Sequence, residues 1–257
     1  MELFWVALAA FGASMLTFFS GFGLGTLLLP VLVLFFPVEW AVALTGVVHF
    51  FNGLFKLLLV GRQTDLRTLT AFGIPAVLAA LLGSWLLLGL GELQPLYAYT
   101  WGGRRYEVAT VQFVVACLLL VFAIADLLPV PGGLRIGRRQ LPIGGLLSGF
   151  FGGLSGHQGA LRSAFLIKAG LSKETYIATG VAIACCIDLT RLAVYATRFD
   201  TSGLQAQLGL VFTATLAAMA GAIGGNRLLK KLTLDYLRRL VAVLLIAMAV
   251  AMGAGWV

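Results

Sequence analysis

The fold is decided by two glycine-rich stretches, Ser20-Gly21-Phe22-Gly23-Leu24-Gly25-Thr26 and Ser148-Gly149-Phe150-Phe151-Gly152-Gly153-Leu154-Ser155-Gly156-His157-Gln158-Gly159. Each opens with Ser-Gly-Phe and precedes a Thr-Gly-Val tripeptide, which begins at Thr45 after the first stretch and at Thr179 after the second. Glycine runs between short apolar segments predict bends that join half-helices, and their repetition predicts a chain built from two related halves. We therefore expect a ligand site where the two bends meet.

Composition assigns the chain to the membrane. Of its 257 residues, 60% are hydrophobic and 11% are charged, whereas soluble domains carry about 25% charged residues. The apolar residues form long blocks instead of amphipathic repeats, which predicts an all-α membrane protein. The net charge of +8 does not indicate nucleic acid, because the Lys and Arg residues fall mainly between apolar segments. The expected partners are the lipid bilayer and a small anionic substrate, and a homo-oligomer is compatible with the sequence.

The apolar blocks divide the chain into two sets of five helical segments. The segments are predicted over 3–19, 22–36, 39–60, 68–90, 108–128, 141–154, 160–171, 175–196, 204–225 and 240–256. We expect a first transmembrane repeat over 1–128, a cytoplasmic basic linker over 129–140 and a second repeat over 141–257. An odd number of segments in each half predicts inverted repeats, with broken or hairpin helices meeting near mid-membrane.

The Lys and Arg residues of the loops predict the orientation. The loops on the side of the basic linker are rich in cations, whereas the opposite loops contain only Arg104, Arg105 and Arg198. The cation-rich side is expected to be cytoplasmic. This places the chain in the cell (inner) membrane with both termini outside the cytoplasm.

A family resemblance follows from the bends and what comes after them. A glycine-rich bend, an apolar half-helix with Pro30 and the stretch Ala41 to Thr45, repeated after a basic linker, resemble the TauE/SafE sulfite and organosulfonate exporters. The similarity extends over essentially the whole chain. It implies a multi-pass secondary transporter for small sulfur-containing oxyanions, and inverted repeats usually serve alternating access. The second bend departs from the family's usual Gly-Val-Gly-Gly-Gly and carries His157, Gln158 and Arg162 instead.

Arg162 is the strongest candidate for contact with an anion. It is predicted in the first turn of the half-helix that begins near Gly159, where the backbone already contributes partial positive charge. The Arg162 guanidinium is favourable beside this partial charge when an anion lies in front of the guanidinium and the helix start. The guanidinium suits two oxygens of an oxyanion. The structural alternative is that Arg162 pairs with a carboxylate or caps carbonyl groups.

The predicted substrate site combines both bends with polar residues of the third segment. Glycine lets the backbone approach a ligand, and the side chains add hydrogen-bond donors. Thr45, His49, Asn52 and Lys56 share one helical face, which predicts a lined cavity or a contact between helices. His49 could also carry a coupling proton. The predicted substrate-binding residues are Arg162, Gln158, His157, Gly156, Gly159, Gly21, Gly23, Gly25, Thr26, Asn52 and His49.

Asp188 and Arg191 form a separate candidate pair. Their three-residue spacing allows a direct ion pair on one helix. Either the pair is structural and locks two helices, or it has a coupling or gating role. Lys168 is expected to be structural, because a cation at a helix end complements the dipole. No cofactor and no metal site is predicted, since Cys117, Cys185 and Cys186 lie in apolar runs.

Three other functions compete with a secondary transporter. Gly153-Leu154-Ser155-Gly156 matches the short pattern around the nucleophile of rhomboid proteases, but the pattern is weak in a chain with 32 glycines, and we do not expect an enzyme. A passive anion channel would share the predicted site. A transporter of another small carboxylate or of a metal ion is the third alternative, although the sequence has no His/Cys cluster to support a metal.

Overall fold

The computed structural model describes residues 2–20, 24–127, 137–198, 205–228 and 234–257. The predicted all-α membrane architecture is confirmed. Gly21, Gly23 and most of the predicted linker 129–140 lie outside the described residues. The described ranges contain ten helices: α1 Glu2–Ser20, α2 Leu24–Val33, α3 Val38–Val60, α4 Leu66–Gly91, α5 Thr110–Leu127, α6 Leu141–Ser155, α7 Gly159–Leu166, α8 Lys173–Tyr195, α9 Leu208–Leu228 and α10 Leu234–Gly253.

Among the described residues, three stretches are long and apolar enough to cross a membrane, by length and composition. They are Val38–Gln63, which contains α3, and the helices Leu66–Gly91 and Lys173–Tyr195. Large apolar side chains such as Leu58, Leu66 and Phe212 are exposed on the outside of the bundle. In a bilayer such side chains contact lipid, and every backbone polar group within a helix is satisfied by the helix itself.

The helices pair in a regular way across the bundle. Helix α1 packs on α9 and α4 packs on α6, while α3 packs on α8 and α5 packs on α10. The described ranges contain five helices from each half of the chain. When the first helix of one half is matched with the first helix of the other, and so on, the same pairs are obtained after the two halves are exchanged. The inverted arrangement of two repeats stays a prediction.

The bend in the second glycine-rich stretch is shorter than the stretch itself, and the helix before it ends within one residue of its predicted limit. Helix α6 continues through Ser155, so the bend is confined to Gly156–Gln158, where Gly156 has a φ of +79°. Gly149 and Gly153 of the stretch, and Gly145 before it, pack against α4 instead of bending the chain. A Cβ at Gly145, Gly149 or Gly153 would overlap a backbone carbonyl oxygen of α4. Small residues of this kind allow close approach of helices in membranes.

A β-hairpin between α4 and α5 was not predicted from the sequence. Strands β1 Tyr97–Trp101 and β2 Arg104–Val108 pair antiparallel through a turn in which Gly102 and Gly103 both have positive φ, as a two-residue hairpin turn requires. The hydroxyl groups of Tyr97 and Tyr99 donate to the carbonyl oxygens of Gly253 and Ala254, at 2.5 and 2.6 Å. The hairpin and the C-terminal residues therefore lie at the same end of the bundle.

Candidate functional site

A buried carboxylate lies at the contact between α3 and α8. Asp188 is fully buried, and three side chains surround it. His49 Nδ1 lies 2.5 Å from Oδ2. Gln158 Nε2 and Arg191 Nε each donate to Oδ1 at 2.9 Å. The carboxylate thus joins α3, the second bend and its own helix in one set of hydrogen bonds.

The predicted Asp188–Arg191 ion pair is present. The two residues are one helical turn apart on α8, and Arg191 Nη2 lies 2.8 Å from Asp188 Oδ1. The guanidinium reaches this position because glycines flank it. A Cβ at Gly46 would lie 3.1 Å from Arg191 Cζ, and a Cβ at Gly156 would lie 3.1 Å from Arg191 Nη1. A larger residue at either position would press on the charged group.

Arg162 lies in the first turn of α7, as predicted. Its Nη1 donates to Gln158 Oε1 at 3.0 Å, and Gln158 in turn donates to Asp188. The backbone of Gln158 is held by Ser148 Oγ, which donates to its carbonyl oxygen at 2.9 Å. The bend therefore positions one amide side chain between a guanidinium and a carboxylate.

The two bends come together in the described part of the chain. A Cβ at Gly25, in the first turn of α2, would lie 3.3 Å from Thr45 Cγ2 and 3.6 Å from the carbonyl oxygen of Gly156. Gly25 and Thr26 are buried there, and Gly159 is buried at the start of α7. Gly21 and Gly23, the other predicted members of the first bend, fall outside the described residues.

His157 and Asn52 take part in other contacts. His157 is buried, with Nδ1 3.1 Å from Ser155 Oγ, and its ring stacks on Phe122 of α5 at a centroid distance of 5.6 Å. Asn52 Nδ2 donates to Ser14 Oγ of α1 at 3.4 Å. The polar line of α3 therefore makes contacts between helices, with His49 bonded to α8 and Asn52 bonded to α1.

Among the residues that the structure describes, cations outnumber carboxylates in this interior cluster. Lys56 of α3 lies close enough to Arg162 for the two charges to interact, and Arg191 adds a third positive charge beside Asp188. Such a charge excess favours a bound anion. Within the described ranges, no group of three or more His, Cys, Asp and Glu side chains is placed to hold a metal ion.

A family comparison identifies the chain. The family model for the sulfite exporter TauE/SafE matches residues 6–252. The chain belongs to the TauE/SafE sulfite exporter family. No curated protein and no solved structure matches it. The resemblance read from the sequence is thus confirmed, and membership of TauE/SafE, a family of transporters, implies a membrane transporter for sulfite or related anions.

The predicted site residues of this TauE/SafE chain fall into two groups. One hydrogen-bonded set brings together residues from α3, the second bend, α7 and α8. The contacts of His157 and Asn52 lie outside that set, with α5 and α1. The members of the set are His49, Gln158, Arg162, Asp188 and Arg191.

Sequence reasoning placed Thr45 on the polar face of α3 but did not predict that Thr45 and Gly46 lie beside Gly25 and Arg191 in the candidate site. Thr45 is buried beside Gly25 of the first bend, and Gly46 lies directly against the Arg191 guanidinium. A signal was present, since the Thr-Gly-Val tripeptide occurs once after each bend. Gly180, from the second copy, lies close to Arg162, because a Cβ there would be 3.6 Å from Arg162 Nε. Each copy therefore places a glycine beside a guanidinium.

Proposed function

We propose that this TauE/SafE protein is a multi-pass secondary transporter that moves small sulfur-containing oxyanions, sulfite or organosulfonates, by alternating access. The observation that carries the proposal is the position of Arg162. It is half-buried in the first turn of α7 and is linked through Gln158 to the buried Asp188. A guanidinium and free backbone N–H groups at one helix start together favour a bound oxyanion.

The chemistry of sulfite and sulfonate groups fits this arrangement. Their oxygen atoms accept hydrogen bonds only, and a guanidinium offers two parallel donors to such a group. The hydrogen-bonded amide of Gln158 keeps the Arg162 side chain in place. The excess of cations around Asp188 compensates for the charge of an anion that has left water.

Alternating access is supported by the way the halves touch. Helices α3 and α8 come from different halves, and the His49–Asp188 contact joins them. A movement of one half against the other would break and remake this contact. A bistable polar contact at the centre is the kind of element that two conformations of a transporter require.

The proposed orientation places both termini outside the cytoplasm of a cell with an inner membrane. The C-terminal residues lie with the β-hairpin, which contains Arg104 and Arg105. Arg198, at the end of α8, pairs with Glu92 at the end of α4. The described cations of the opposite end include Arg138, which donates to the carbonyl oxygen of Ala169. This distribution supports a cytoplasmic face at the Arg138 end.

The test compares two alanine variants with the wild type. Purified protein is titrated with sulfite, an alkylsulfonate, acetate and a divalent cation, and binding is measured by calorimetry. We expect Arg162→Ala to weaken sulfite binding by about 2–5 kcal/mol, because the desolvated anion loses its partner. Arg162→Lys should lose less, since the charge remains. Lys168→Ala is the matched control, because this cation lies at the other end of the same half-helix.

Several results would contradict the proposal. Equal losses in Arg162→Ala and Lys168→Ala would indicate a general positive field instead of a site. Binding of acetate or of the divalent cation without sulfite or sulfonate would indicate a different substrate. In proteoliposomes, sulfite accumulation against its gradient is expected when a coupling gradient is imposed. Flux that only follows the sulfite gradient would indicate a passive channel.

A further inference from the structure

The Arg191 guanidinium interacts with Asp188 and with the Tyr195 side chain, yet its Nη1 atom has no hydrogen-bond partner among the described residues. The Arg191 side chain is 1% exposed. Nε and Nη2 face Asp188 Oδ1, at 2.9 and 2.8 Å, whereas Nη1 has no hydrogen-bond partner among the residues that the structure describes. A buried guanidinium donor without an acceptor is costly. The direction of Nη1, next to Gly156, therefore indicates where an acceptor belongs.

A second unused group lies at the same place. Thr45 is 1% exposed, and its Oγ1 has no hydrogen-bond partner in the described ranges. Thr45 directly precedes Gly46, whose Cα faces the Arg191 guanidinium. A hydroxyl from α3 and a guanidinium from α8 are thus both buried and both able to donate.

The first turn of α2 completes the surroundings. Gly25 lies against Thr45 and against the carbonyl oxygen of Gly156, the residue that also borders Arg191 Nη1. Helix α2 begins at Leu24, and the N–H groups of a first helical turn have no partners within the helix. With the partial positive charge of the helix start, these groups favour an anion. Three elements, α2, α3 and α8, therefore place donors close to Gly25 and Gly156.

We propose that Arg191 Nη1, the Thr45 hydroxyl and the first turn of α2 form a second oxyanion subsite, which takes the same sulfite-type anion. The inference rests on the proposed function and adds a station distinct from Arg162. Arg162 lies beside Gly180 of α8. Arg191 follows Gly180 by eleven residues on α8, and Gln158 and Asp188 lie between its guanidinium and that of Arg162. An anion that leaves Arg162 towards the β-hairpin end would therefore meet Arg191 next.

The test removes one hydroxyl at a time. Thr45→Val keeps the shape of the side chain and deletes its donor. Thr215→Val is a matched control, because Thr215 of α9 is also buried with an Oγ1 that has no partner among the described residues. Sulfite titrations should show an affinity loss of about tenfold or more in Thr45→Val, the usual size for a hydrogen bond to a charged group. Thr215→Val should stay within about twofold of the wild type. Thr45→Ser, which keeps the hydroxyl, should recover most of the affinity that Thr45→Val loses.

Arg191→Lys provides a second, independent variant. The ammonium can still pair with Asp188, but the flat group that carries Nη1 is gone, so sulfite affinity should again fall by about tenfold or more. Thermal unfolding in detergent verifies that each variant is folded before it is titrated.

The outcomes separate the two proposals. Wild-type affinity in folded Thr45→Val or in folded Arg191→Lys would overturn the second subsite, while a loss in Arg162→Ala would leave the proposed function standing. A wild-type protein that binds neither sulfite nor sulfonate would overturn both.

Discussion

In the α4–α6 contact, glycines let two backbones touch, whereas in the α3–α8 contact a carboxylate is surrounded by cations and polar groups. Gly149 of α6 lies against the Ala76 carbonyl oxygen, and Gly83 of α4 lies against the Phe150 carbonyl oxygen. At the other contact, Asp188 bonds to His49 and Arg191. Both contacts join the two halves of the chain, and both are buried.

The difference shows two ways in which the helices of this protein are held together. In lipid, apolar burial gives little driving force between helices, so close packing through small residues is an efficient structural contact. Ionisable groups inside a membrane are costly and are commonly functional. The glycine contact therefore suits a pair of helices that stays packed, and the charged contact suits a pair of helices that moves.

The largest expected effect breaks the charged contact. In Asp188→Ala, Arg191 and His49 lose the acceptor that they share. Removal of one partner from a buried ion pair leaves an uncompensated charge, so the free energy of unfolding should fall by about 3–5 kcal/mol. Equilibrium unfolding in mixed micelles measures the loss. A double change, Asp188→Asn with Arg191→Gln, should recover part of the lost free energy of unfolding. A loss below about 1 kcal/mol in Asp188→Ala would show that the ion pair is solvated.

The next effect breaks the glycine contact. In Gly149→Ala, the new Cβ would overlap the Ala76 carbonyl oxygen, so α4 and α6 must move apart. We expect a loss of about 1–3 kcal/mol in the free energy of unfolding, as in other overpacked interiors. Gly12→Ala on α1 is the matched control, because no atom lies within 4 Å of its Cβ, and alanine favours a helix over glycine. Equal stability of the two variants would mean that the α4–α6 contact is not close-packed.

The smallest effect lies at the start of α4, outside both contacts. Asp65 caps this helix, since its Oδ1 accepts from the Thr68 N–H at 2.7 Å. This hydrogen bond holds the pKa of Asp65 below its usual range. Its stabilisation is present above the unfolded-state pKa and is lost as the pH falls through the lower folded-state pKa.

Asp65→Ala should therefore lower the free energy of unfolding by about 1 kcal/mol at neutral pH. The difference from the wild type should shrink in acid. Asp65→Asn, which keeps a capping oxygen but does not titrate, is the control. Thermal unfolding at neutral and at acidic pH measures the stability difference and its decrease in acid. A pH-independent difference between Asp65→Ala and the wild type would contradict the role of the carboxylate.

Local spacing explains which features could be predicted from the sequence. The apolar blocks indicated membrane helices, because the length and hydrophobicity of a segment are local properties. The Asp188–Arg191 pair followed from three-residue spacing on one helix. The position of Arg162 in the first turn of α7 followed from the glycines before it. Each of these depends on residues that are close in the chain.

Only the tertiary structure decided how distant residues combine. His49 and Asp188 are 139 residues apart, and no helical period specifies that they meet. Glycine is the clearest case, because the lack of a Cβ serves equally for a bend, as at Gly156, and for close helix packing, as at Gly149. Composition cannot separate a bend from close helix packing, because the use of a glycine depends on whether a backbone atom of another helix lies opposite it.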